Sequence, residues 1–283
     1  MKTINLKNGT TLPRLGMGTW FLGDNRATRK DEIEALRYGI EHGMTVIDTA
    51  EMYGGGRSET LVGEAIEPFS RENIYLISKV LPNNAGRRDI FKSCDKTLER
   101  LKTDYLDCYL LHWRGGVPLE ETIECMMELI QKGKIHSFGV SNLDTPDMQE
   151  LFSIKDGNKC VMNQVLYHLG SRGIEYSLLP WLKNNNTAMM AYCPLAQGGS
   201  LRAGLLTSEA VRLVAHQKGV TPIQILLAFA IRDDNVIAIP KASSIKHVES
   251  NLKALSIELT VRDIELLSSD FPPPHTKLPL DIQ

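Results

Sequence analysis

The amino-acid sequence predicts an α/β fold, namely a (β/α)8 TIM barrel with an N-terminal β-hairpin. Eight short apolar segments alternate with amphipathic helical patterns, which is typical of repeated βαβ units. Several of these segments are almost continuously apolar, as expected for parallel strands that are covered on both faces. The chain has 283 residues, a length that suits a barrel. We therefore expect a single domain over residues 1–283.

The predicted elements follow one another in a regular order. The opening segment INLKNGTTLPRL is expected to form the hairpin, because Asn8-Gly9 between alternating residues favours a tight primed turn. The eight strands are predicted at residues 15–19, 45–48, 74–79, 105–112, 135–140, 161–165, 188–192 and 236–240. Helices are predicted at residues 29–43, 59–69, 89–101, 119–132, 146–154, 174–183, 208–218, 222–232 and 245–255.

A doubly wound open sheet is the main alternative to the barrel. That fold usually carries the nucleotide-binding pattern G-x-G-x-x-G directly after its first strand. The first predicted strand offers Gly16 and Gly18, but Phe21 stands where the third glycine is required. The run Gly54-Gly55-Gly56 does not restore the pattern, so the barrel is the better interpretation.

Composition excludes several classes of function. A formal net charge of −2 with scattered Lys and Arg gives no electrostatic footprint for nucleic acid or an anionic membrane. The five cysteines are widely spaced without a C-x-x-C pair, which indicates neither a disulfide framework nor a zinc site. The chain shows neither a secretory apolar segment nor a run of membrane-spanning length. We expect a cytoplasmic monomer whose partner is a small molecule, with no nucleic acid, membrane or metal.

Four polar side chains mark the ends of three consecutive predicted strands. Asp48 ends the second strand, with Tyr53 in the loop beyond it, Lys79 ends the third and His112 the fourth. Because chemistry in barrels sits at the carboxyl ends of the strands, these groups are expected to converge. Each has an ordinary alternative: Asp48-x-x-Glu51 fits a helix capping box, and the others could be a surface lysine, a core histidine and a loop aromatic. Their joint occurrence favours an active site.

The four side chains form a coherent chemical set. A free tyrosine has a pKa of about 10 and is a poor acid at neutral pH. A nearby Lys79 ammonium is expected to lower the pKa of Tyr53, and Asp48 would hold that lysine charged and in place. A neutral His112 imidazole could orient a carbonyl oxygen and share the proton. Such a set suits protonation of an oxygen while a hydride arrives at its carbon.

Several sequence runs together resemble one enzyme family. VIDTAEMYG, YLISK, YLLHW and GVSNL, followed by Asn163-Gln164 and IPK at residues 239–241, occur in the order typical of aldo-keto reductases. The resemblance extends from the Asn8-Gly9 hairpin to about Asp270. Within the family, IDTAEMYGGG, LLHWRGG, NQVLYHLGSRGIEY and AIPKASSIKHV are most similar to the bacterial methylglyoxal-reductase-like branch.

This resemblance implies an NADPH-dependent oxidoreductase. Tyr53 would be the proton donor, tuned by Lys79 and Asp48, and His112 would orient the substrate carbonyl. NADPH (NADP+ after reaction) would lie extended across the barrel mouth without a Gly-rich loop. The implied cofactor contacts are Gly18, Thr19, Asp48, Ser141, Asn142, Gln164, Tyr192, Pro194, Leu195, Gln197, Lys241, Ser243, Ser244, His247 and Asn251.

Within that set the resemblance assigns separate duties. Ser141, Asn142 and Gln164 would hold the nicotinamide carboxamide; Tyr192 would stack on its ring, and the loop at residues 193–199 would wrap the pyrophosphate. Lys241 and Ser244 would grip the 2′-phosphate, and Asn251 would contact the adenine. The ordinary alternatives are a turn at Ser141-Asn142, a core aromatic at Tyr192 and a helix start capped by serine after the eighth strand.

The adenosine end departs from the pattern common in the family. His247 stands where many relatives have Arg, and Ser250 where many have Glu. A guanidinium always carries charge and binds phosphate with two donors, which an imidazole does not do reliably. Preference for NADPH over NADH therefore needs a direct test.

The substrate pocket is expected beside the catalytic groups. Trp20, Phe21 and Trp113 flank strand ends and would wall the pocket next to Tyr53 and His112. The loops after His112 and at the C-terminus are short and resemble those of bacterial family members, and this resemblance implies small aldehydes and 2-oxoaldehydes such as methylglyoxal as substrates. The loop residue Arg114 is interpreted as a solvated cation. Two alternatives stay open: a Schiff-base aldolase that uses Lys79, and a non-catalytic cofactor-binding regulator of the same fold.

Overall fold

A two-stranded antiparallel hairpin, β1 (Thr3–Asn5) with β2 (Thr11–Pro13), precedes the barrel. The hairpin was predicted, but its tight primed turn is wrong. Gly9 has a φ of +89° while Asn8 is not in the positive-φ region, and both types of primed turn require positive φ at the first central residue, here Asn8. The Asn8 side chain instead accepts a hydrogen bond of 3.2 Å from the Thr10 amide, which stabilises a longer loop.

Eight parallel strands form the central sheet, and each pairs with the next along the chain. The computed structural model describes residues 2–283, so Met1, the first residue of the predicted domain, lies outside the described residues. The strands are β3 (Met17–Gly18), β4 (Val46–Asp48), β5 (Tyr75–Val80), β6 (Leu106–Leu111), β7 (Ile135–Ser141), β8 (Met162–Leu166), β9 (Ala188–Tyr192) and β10 (Val236–Ala238). All eight correspond to predicted strands, and the barrel is confirmed.

The sheet closes where β10 meets β3. The Gly16 amide donates to the Ala238 carbonyl at 2.9 Å, and Gly18 bridges to Lys241 in parallel. A Cβ atom at Gly18 would lie 2.7 Å from the Ile239 carbonyl oxygen. The paired glycines that resemble part of a nucleotide-binding pattern are therefore required for close strand contact at the closure.

Helices surround the sheet on its outer side. They are α1 (Arg29–Glu41), α2 (Arg57–Ile66), α3 (Ile90–Leu101), α4 (Leu119–Gln131), α5 (Thr145–Ser153), α6 (Leu178–Asn184), α7 (Gly199–Thr207), α8 (Glu209–Lys218), α9 (Pro222–Ala230), α10 (Ile245–Lys253) and α11 (Val261–Asp270). Nine were predicted; α7 and α11 were not. Within residues 2–283, no helix has both the length and the apolar character needed to cross a membrane.

Strand alternation separates an inner core from an outer one. The hairpin residues Ile4 and Leu12 pack in one buried cluster with inward-facing strand residues such as Tyr75 and Ile77. Leu76, between them on β5, belongs to the second cluster, which lies between strands and helices. By the same alternation, Ser78 faces the helices and Lys79 faces the interior of the barrel.

Candidate active site

Lys79 is the centre of the predicted site. It has no exposed surface, and its ammonium uses all three donors on named partners. The Nζ atom donates to Asp48 Oδ2 at 2.7 Å, to the Thr49 carbonyl at 3.0 Å and to the Tyr53 phenol oxygen at 3.0 Å. Three of the four predicted catalytic side chains therefore meet around one buried nitrogen.

The lysine and aspartate form a buried ion pair. Burial lowers the pKa of Lys79 and raises the pKa of Asp48, since it disfavours the charged form of each. The opposite charges of Lys79 and Asp48, together with the 2.7 Å hydrogen bond between them, oppose the pKa shift that burial causes in each residue. The second oxygen of Asp48 accepts a hydrogen bond of 2.7 Å from Gln164 Nε2. Both carboxylate oxygens are thus satisfied inside the barrel.

The capping interpretation of this segment is wrong. The Asp48 carboxylate faces Lys79 and Gln164 rather than a helix terminus. Glu51 accepts hydrogen bonds from the Leu81 amide at 2.7 Å and from Asn84 Nδ2 at 3.0 Å, so it ties its loop to the end of β5. The helix that follows begins at Arg57 instead.

Tyr53 reaches the site on a turn built from glycine. It begins a short 3₁₀ turn at Tyr53–Gly56, in which the three glycines have φ values of +58°, +63° and +91°. Such conformations are costly for residues with a Cβ atom. The turn brings the phenol under cover, and only 9% of Tyr53 is exposed.

The expectation that the Lys79 ammonium lowers the pKa of Tyr53 is wrong. Burial raises the pKa of Tyr53 well above its ordinary value, and the negative charge of Asp48 raises it further. The phenol therefore carries its proton at neutral pH, which is the form a proton donor needs. The Lys79 contact can stabilise the phenolate only once that proton has left.

His112 lies across from the phenol. The two rings meet edge to face with centroids 5.7 Å apart. Burial, together with the positive charge of Lys79, lowers the pKa of His112 to about 2. The imidazole is thus neutral, as predicted, and its Nδ1 atom has no hydrogen-bond partner within the described part of the chain.

The residues predicted to hold a nicotinamide form a connected cluster beside this site. Ser141 and Gln164 are register partners on β7 and β8, and both are buried. Asn142 follows with a φ of +57°, and its Nδ2 atom donates to the His112 carbonyl at 3.3 Å. Tyr192 donates to Asn142 Oδ1 at 3.0 Å, which fixes the aromatic ring at the end of β9.

A cavity of about 320 Å³ extends from these groups over the barrel mouth. Its described lining comprises Gly18, Thr19, Trp20, Phe21, Asp48, Tyr53, Tyr192, Cys193, Pro194, Leu195, Ala196, Gln197, Arg202, Ile223, Ile239, Pro240, Lys241, His247, Ser250, Asn251 and Gln283. Ten of the fifteen predicted cofactor contacts are in this set. The other five, Ser141, Asn142, Gln164, Ser243 and Ser244, are not part of the described lining, and Ser244 is at the start of α10.

Aromatic rings continue from the cavity along the rim. Trp20 stacks on Phe21 with centroids 4.5 Å apart and lies 6.3 Å from the Tyr53 ring. Trp113 packs 4.7 Å from His112 and is not part of the described lining of this cavity. The predicted Trp113 wall therefore belongs to the His112 side. Arg114 is paired with Asp147 and Glu150 at 2.9 Å and 2.6 Å and is partly exposed, so it is a surface cation that is both solvated and salt-bridged.

The polar cavity residues Arg202 and Gln283, like the apolar Ile223, were missed from the sequence. Arg202, on the unpredicted helix α7, donates to the Leu195 carbonyl at 2.8 Å and to the Ala196 carbonyl at 2.6 Å. Gln283 accepts a hydrogen bond from Cys193 at 3.2 Å. The Cys193–Gln283 contact joins segments 90 residues apart, so no local pattern could indicate it. The Arg202 contacts are only six and seven residues apart in sequence, but they lie in a Gly-containing segment without helical periodicity.

Comparison with known proteins gives consistent matches. Residues 14–269 match the sequence model of the Aldo/keto reductase family. Methylglyoxal reductase YeaE of Escherichia coli is 50% identical over 281 residues, which cover 99% of each chain. Glyoxal reductase of Bacillus subtilis is 30% identical, covering 94% of this chain and 92% of its own. A crystal structure of an aldo/keto reductase from Klebsiella pneumoniae with NADP and acetate is 50% identical, with a TM-score of 0.97 over 100% of this chain and 99% of that one.

Proposed function

The chain belongs to the aldo/keto reductase family, and from this premise we propose that it reduces small aldehydes and ketones to alcohols with NADPH. The observation that carries the proposal is the buried contact of Lys79 with Tyr53 and Asp48, at 3.0 Å and 2.7 Å. This contact joins a protonated phenol to a cation that can stabilise its conjugate base. A neutral His112 beside it supplies a second group for a carbonyl oxygen.

The cavity residues fit an extended dinucleotide. The lining includes the aromatic Tyr53 and Tyr192 and the cationic Lys241 with His247 and Asn251. This combination suits a ligand with both an aromatic ring and a phosphate. Ser141, Asn142 and Gln164 would hold the carboxamide, and Lys241 with Ser243 and Ser244 would hold the 2′-phosphate. When bound, NADPH supplies the hydride that reduces the carbonyl carbon.

The protein's part in the reaction is to hold and move one proton. The substrate carbonyl oxygen would accept hydrogen bonds from the Tyr53 hydroxyl and from a ring N–H of neutral His112. As the carbonyl carbon is reduced, Tyr53 gives its proton to that oxygen and becomes a phenolate. Lys79, 3.0 Å away, then stabilises the new negative charge, and Asp48 holds the lysine in place.

We propose 2-oxoaldehydes such as methylglyoxal as the preferred substrates. The relatives named methylglyoxal reductase and glyoxal reductase support this class. The half-exposed rings of Phe21 and Trp113 support it too, because they flank the site with apolar surface suited to a short uncharged substrate.

Consumption of NADPH, followed by absorbance, tests the proposal. The substrate panel should include methylglyoxal, glyoxal, longer aldehydes, ketones and aldoses. We expect the highest kcat/KM with 2-oxoaldehydes. Preference for aldoses would overturn the substrate class, and absence of turnover across the whole panel would overturn the enzyme assignment in favour of a cofactor-binding regulator.

A Schiff-base aldolase is disfavoured by the state of Lys79. A nucleophilic amine must be uncharged, whereas the Lys79 ammonium donates to Asp48, Thr49 and Tyr53 together. Borohydride in the presence of an aldehyde substrate would trap an adduct on Lys79 only if that alternative were correct.

We propose further that residues 1–283 form one domain that acts as a monomer in the cytoplasm. The C-terminal segment supports a single unit, because Asp281 and Gln283 bond to Ser171 and Cys193 on the barrel. All five cysteines are free thiols, which suits a reducing compartment. Size-exclusion chromatography with light scattering would test the monomer.

A further inference from the structure

The first turn of α2 is fastened to the barrel by buried polar side chains. It directly follows the glycine turn that carries Tyr53. Ser58, with no exposed surface, donates to Thr19 Oγ1 at 2.8 Å and accepts from Thr49 Oγ1 at 3.2 Å. Thr19 Oγ1 in turn donates to the Asp48 carbonyl at 2.9 Å. One chain of hydroxyl groups thus connects α2 to the ends of β3 and β4.

Glu59, the next residue, makes the connection to β5. Its carboxylate is completely buried and accepts from Ser78 Oγ at 2.6 Å and from Arg100 Nε at 2.5 Å. Ser78 and Lys79 are consecutive on β5 and face opposite sides of the strand. The Glu59 carboxylate therefore lies behind the catalytic lysine, on the outer face of the barrel.

Burial of a carboxylate at this position is expensive. Transfer of a charge out of water costs several kcal/mol even when it is paired, and well-packed apolar residues often stabilise a fold equally well. Burial raises the pKa of Glu59, while Ser78 and Arg100 oppose that shift. A charge retained here, next to the strand of the catalytic lysine, points to a role beyond packing.

We propose that Glu59 is a positioning residue for the reaction. It fixes β5 against the helix that follows Tyr53, and it places a second negative charge behind Lys79. The inference rests on the proposed carbonyl reduction and assigns no direct contact with substrate or cofactor. Glu59 acts through Ser78 and Lys79 alone.

The electrostatic part of this role has a definite sign. Burial lowers the pKa of Lys79, and the carboxylates of Asp48 and Glu59 raise it. On the inner face, Tyr53 and His112 lie near Lys79. On the outer face, Arg100 pairs with Glu59, and the charges of Glu59 and Glu51 both act on Cys94 and Tyr109. Removal of the Glu59 charge should therefore lower the pKa of Lys79. The basic limb of the pH profile, which is the decrease of kcat/KM at high pH, should then move to lower pH.

The test compares Glu59→Gln with Glu64→Gln. Glu64 is on the same helix but pairs with Arg29 at the surface, so its variant removes an equal charge far from Lys79. For E59Q we expect kcat to fall about 10- to 100-fold, with the basic limb of kcat/KM displaced to lower pH. The dissociation constant of NADPH, measured by quenching of tryptophan fluorescence, should stay unchanged. E64Q should match the wild type in all three measurements.

Two further variants separate positioning from folding. Ser78→Ala keeps the charge but loses the hydrogen bond, so kcat should fall without displacement of the limb. Because E59Q leaves Arg100 opposite an amide, the double variant E59Q/R100M removes both charges, and in a folded protein it should show a smaller displacement of the limb in the same direction, since loss of the Arg100 cation partly offsets loss of the Glu59 charge. An unmoved limb in either folded variant, or failure of both to fold, would overturn the positioning role. Absence of wild-type turnover would instead overturn the proposed function, so the two failures are distinguishable.

Discussion

Lys79 Nζ lies 3.0 Å from the phenol oxygen of Tyr53 and donates a hydrogen bond to it. Burial keeps the phenol protonated by raising the pKa of Tyr53, so the contact has little charge to stabilise before reaction. Once the proton has moved to a carbonyl oxygen, the same contact joins an ammonium to a phenolate. The interaction is therefore stronger after proton transfer than before it, which is what catalysis of this step requires.

Replacement of Tyr53 by Phe should abolish the proton transfer and little else. The ring would keep its contacts with Trp20 and His112. We expect kcat to fall by about 10²- to 10⁴-fold, with NADPH affinity nearly unchanged in a fluorescence titration. Tyr176→Phe, at a half-exposed position outside the cavity, is the matched control and should behave as wild type. Near-normal turnover in Y53F would show that another group donates the proton.

The convergence of these side chains could be predicted from the sequence because it follows from the fold. Parallel strands that are neighbours in sequence are neighbours in a barrel, so Asp48, Lys79 and His112 had to meet at one edge. The pKa of Tyr53 could not be predicted in the same way. It depends on how completely the loop buries the phenol, and the sequence does not give that burial.

The two helices that were missed differ in the local signal that their sequences carry. Helix α7 and its Arg202 lie where only a loop was expected, and the Gly198-Gly199 start gives no periodic signal. Helix α11 does carry a local signal, because Thr260 and Asp263 form a reciprocal capping box that a search for helix starts could have found. The link of Glu59 to Ser78 required knowledge of which face of β5 meets α2.

The buried ion pair makes a prediction about stability. Lys79→Met leaves the Asp48 carboxylate buried without its cation, which should lower the free energy of unfolding by about 3–5 kcal/mol in urea denaturation. The double variant K79M/D48N removes both charges and should recover much of that loss. Arg114→Ala removes a partly exposed cation and should cost about 0–1 kcal/mol. Equal losses in K79M and R114A would contradict a dry, tightly paired lysine.

His112 predicts how stability depends on pH. Its pKa is lowered to about 2 in the folded protein, against about 6.5 when unfolded. The unfolded state therefore binds a proton below about pH 6.5 that the folded state does not. Stability from the neutral imidazole is complete above that pH and is lost as pH falls toward 2.

Chemical denaturation at two pH values measures this contribution. Between pH 7 and pH 4.5 we expect the wild type to lose about 2–3 kcal/mol through His112. Over the same interval, the His112→Gln variant should lose about 2–3 kcal/mol less stability than the wild type loses. His168→Gln should show a similar reduction over this interval, because burial lowers the pKa of His168 to about 4, which is below the lower pH of the measurement. Parallel pH dependence in wild type and H112Q would show that His112 is protonated in the folded protein.

Cofactor selectivity should respond to His247. This side chain lines the cavity together with Lys241, at the end assigned to the adenosine phosphate. His247→Arg adds a permanent charge with paired donors, so we expect about tenfold tighter binding of NADPH, or ~1.4 kcal/mol, with little change for NADH. Lys241→Met should weaken NADPH selectively. Equal effects on the two cofactors would place the 2′-phosphate away from both residues.

The glycine turn beneath Tyr53 distinguishes backbone strain from displacement of the proton donor. Gly55 and Gly56 both have positive φ, but a Cβ at Gly55 meets nothing within 4 Å, whereas one at Gly56 lies 2.6 Å from Arg100 Cδ. The Arg100 side chain cannot move away freely, because it is bonded to Glu59. Gly55→Ala should therefore cost only the strain of its conformation, about 1–2 kcal/mol in urea denaturation, with turnover nearly intact.

Gly56→Ala has to move the turn, the arginine or both, so stability and kcat should fall together. If the two alanine variants lost equal stability and kept equal turnover, Arg100 would have no part in holding Tyr53 against Lys79.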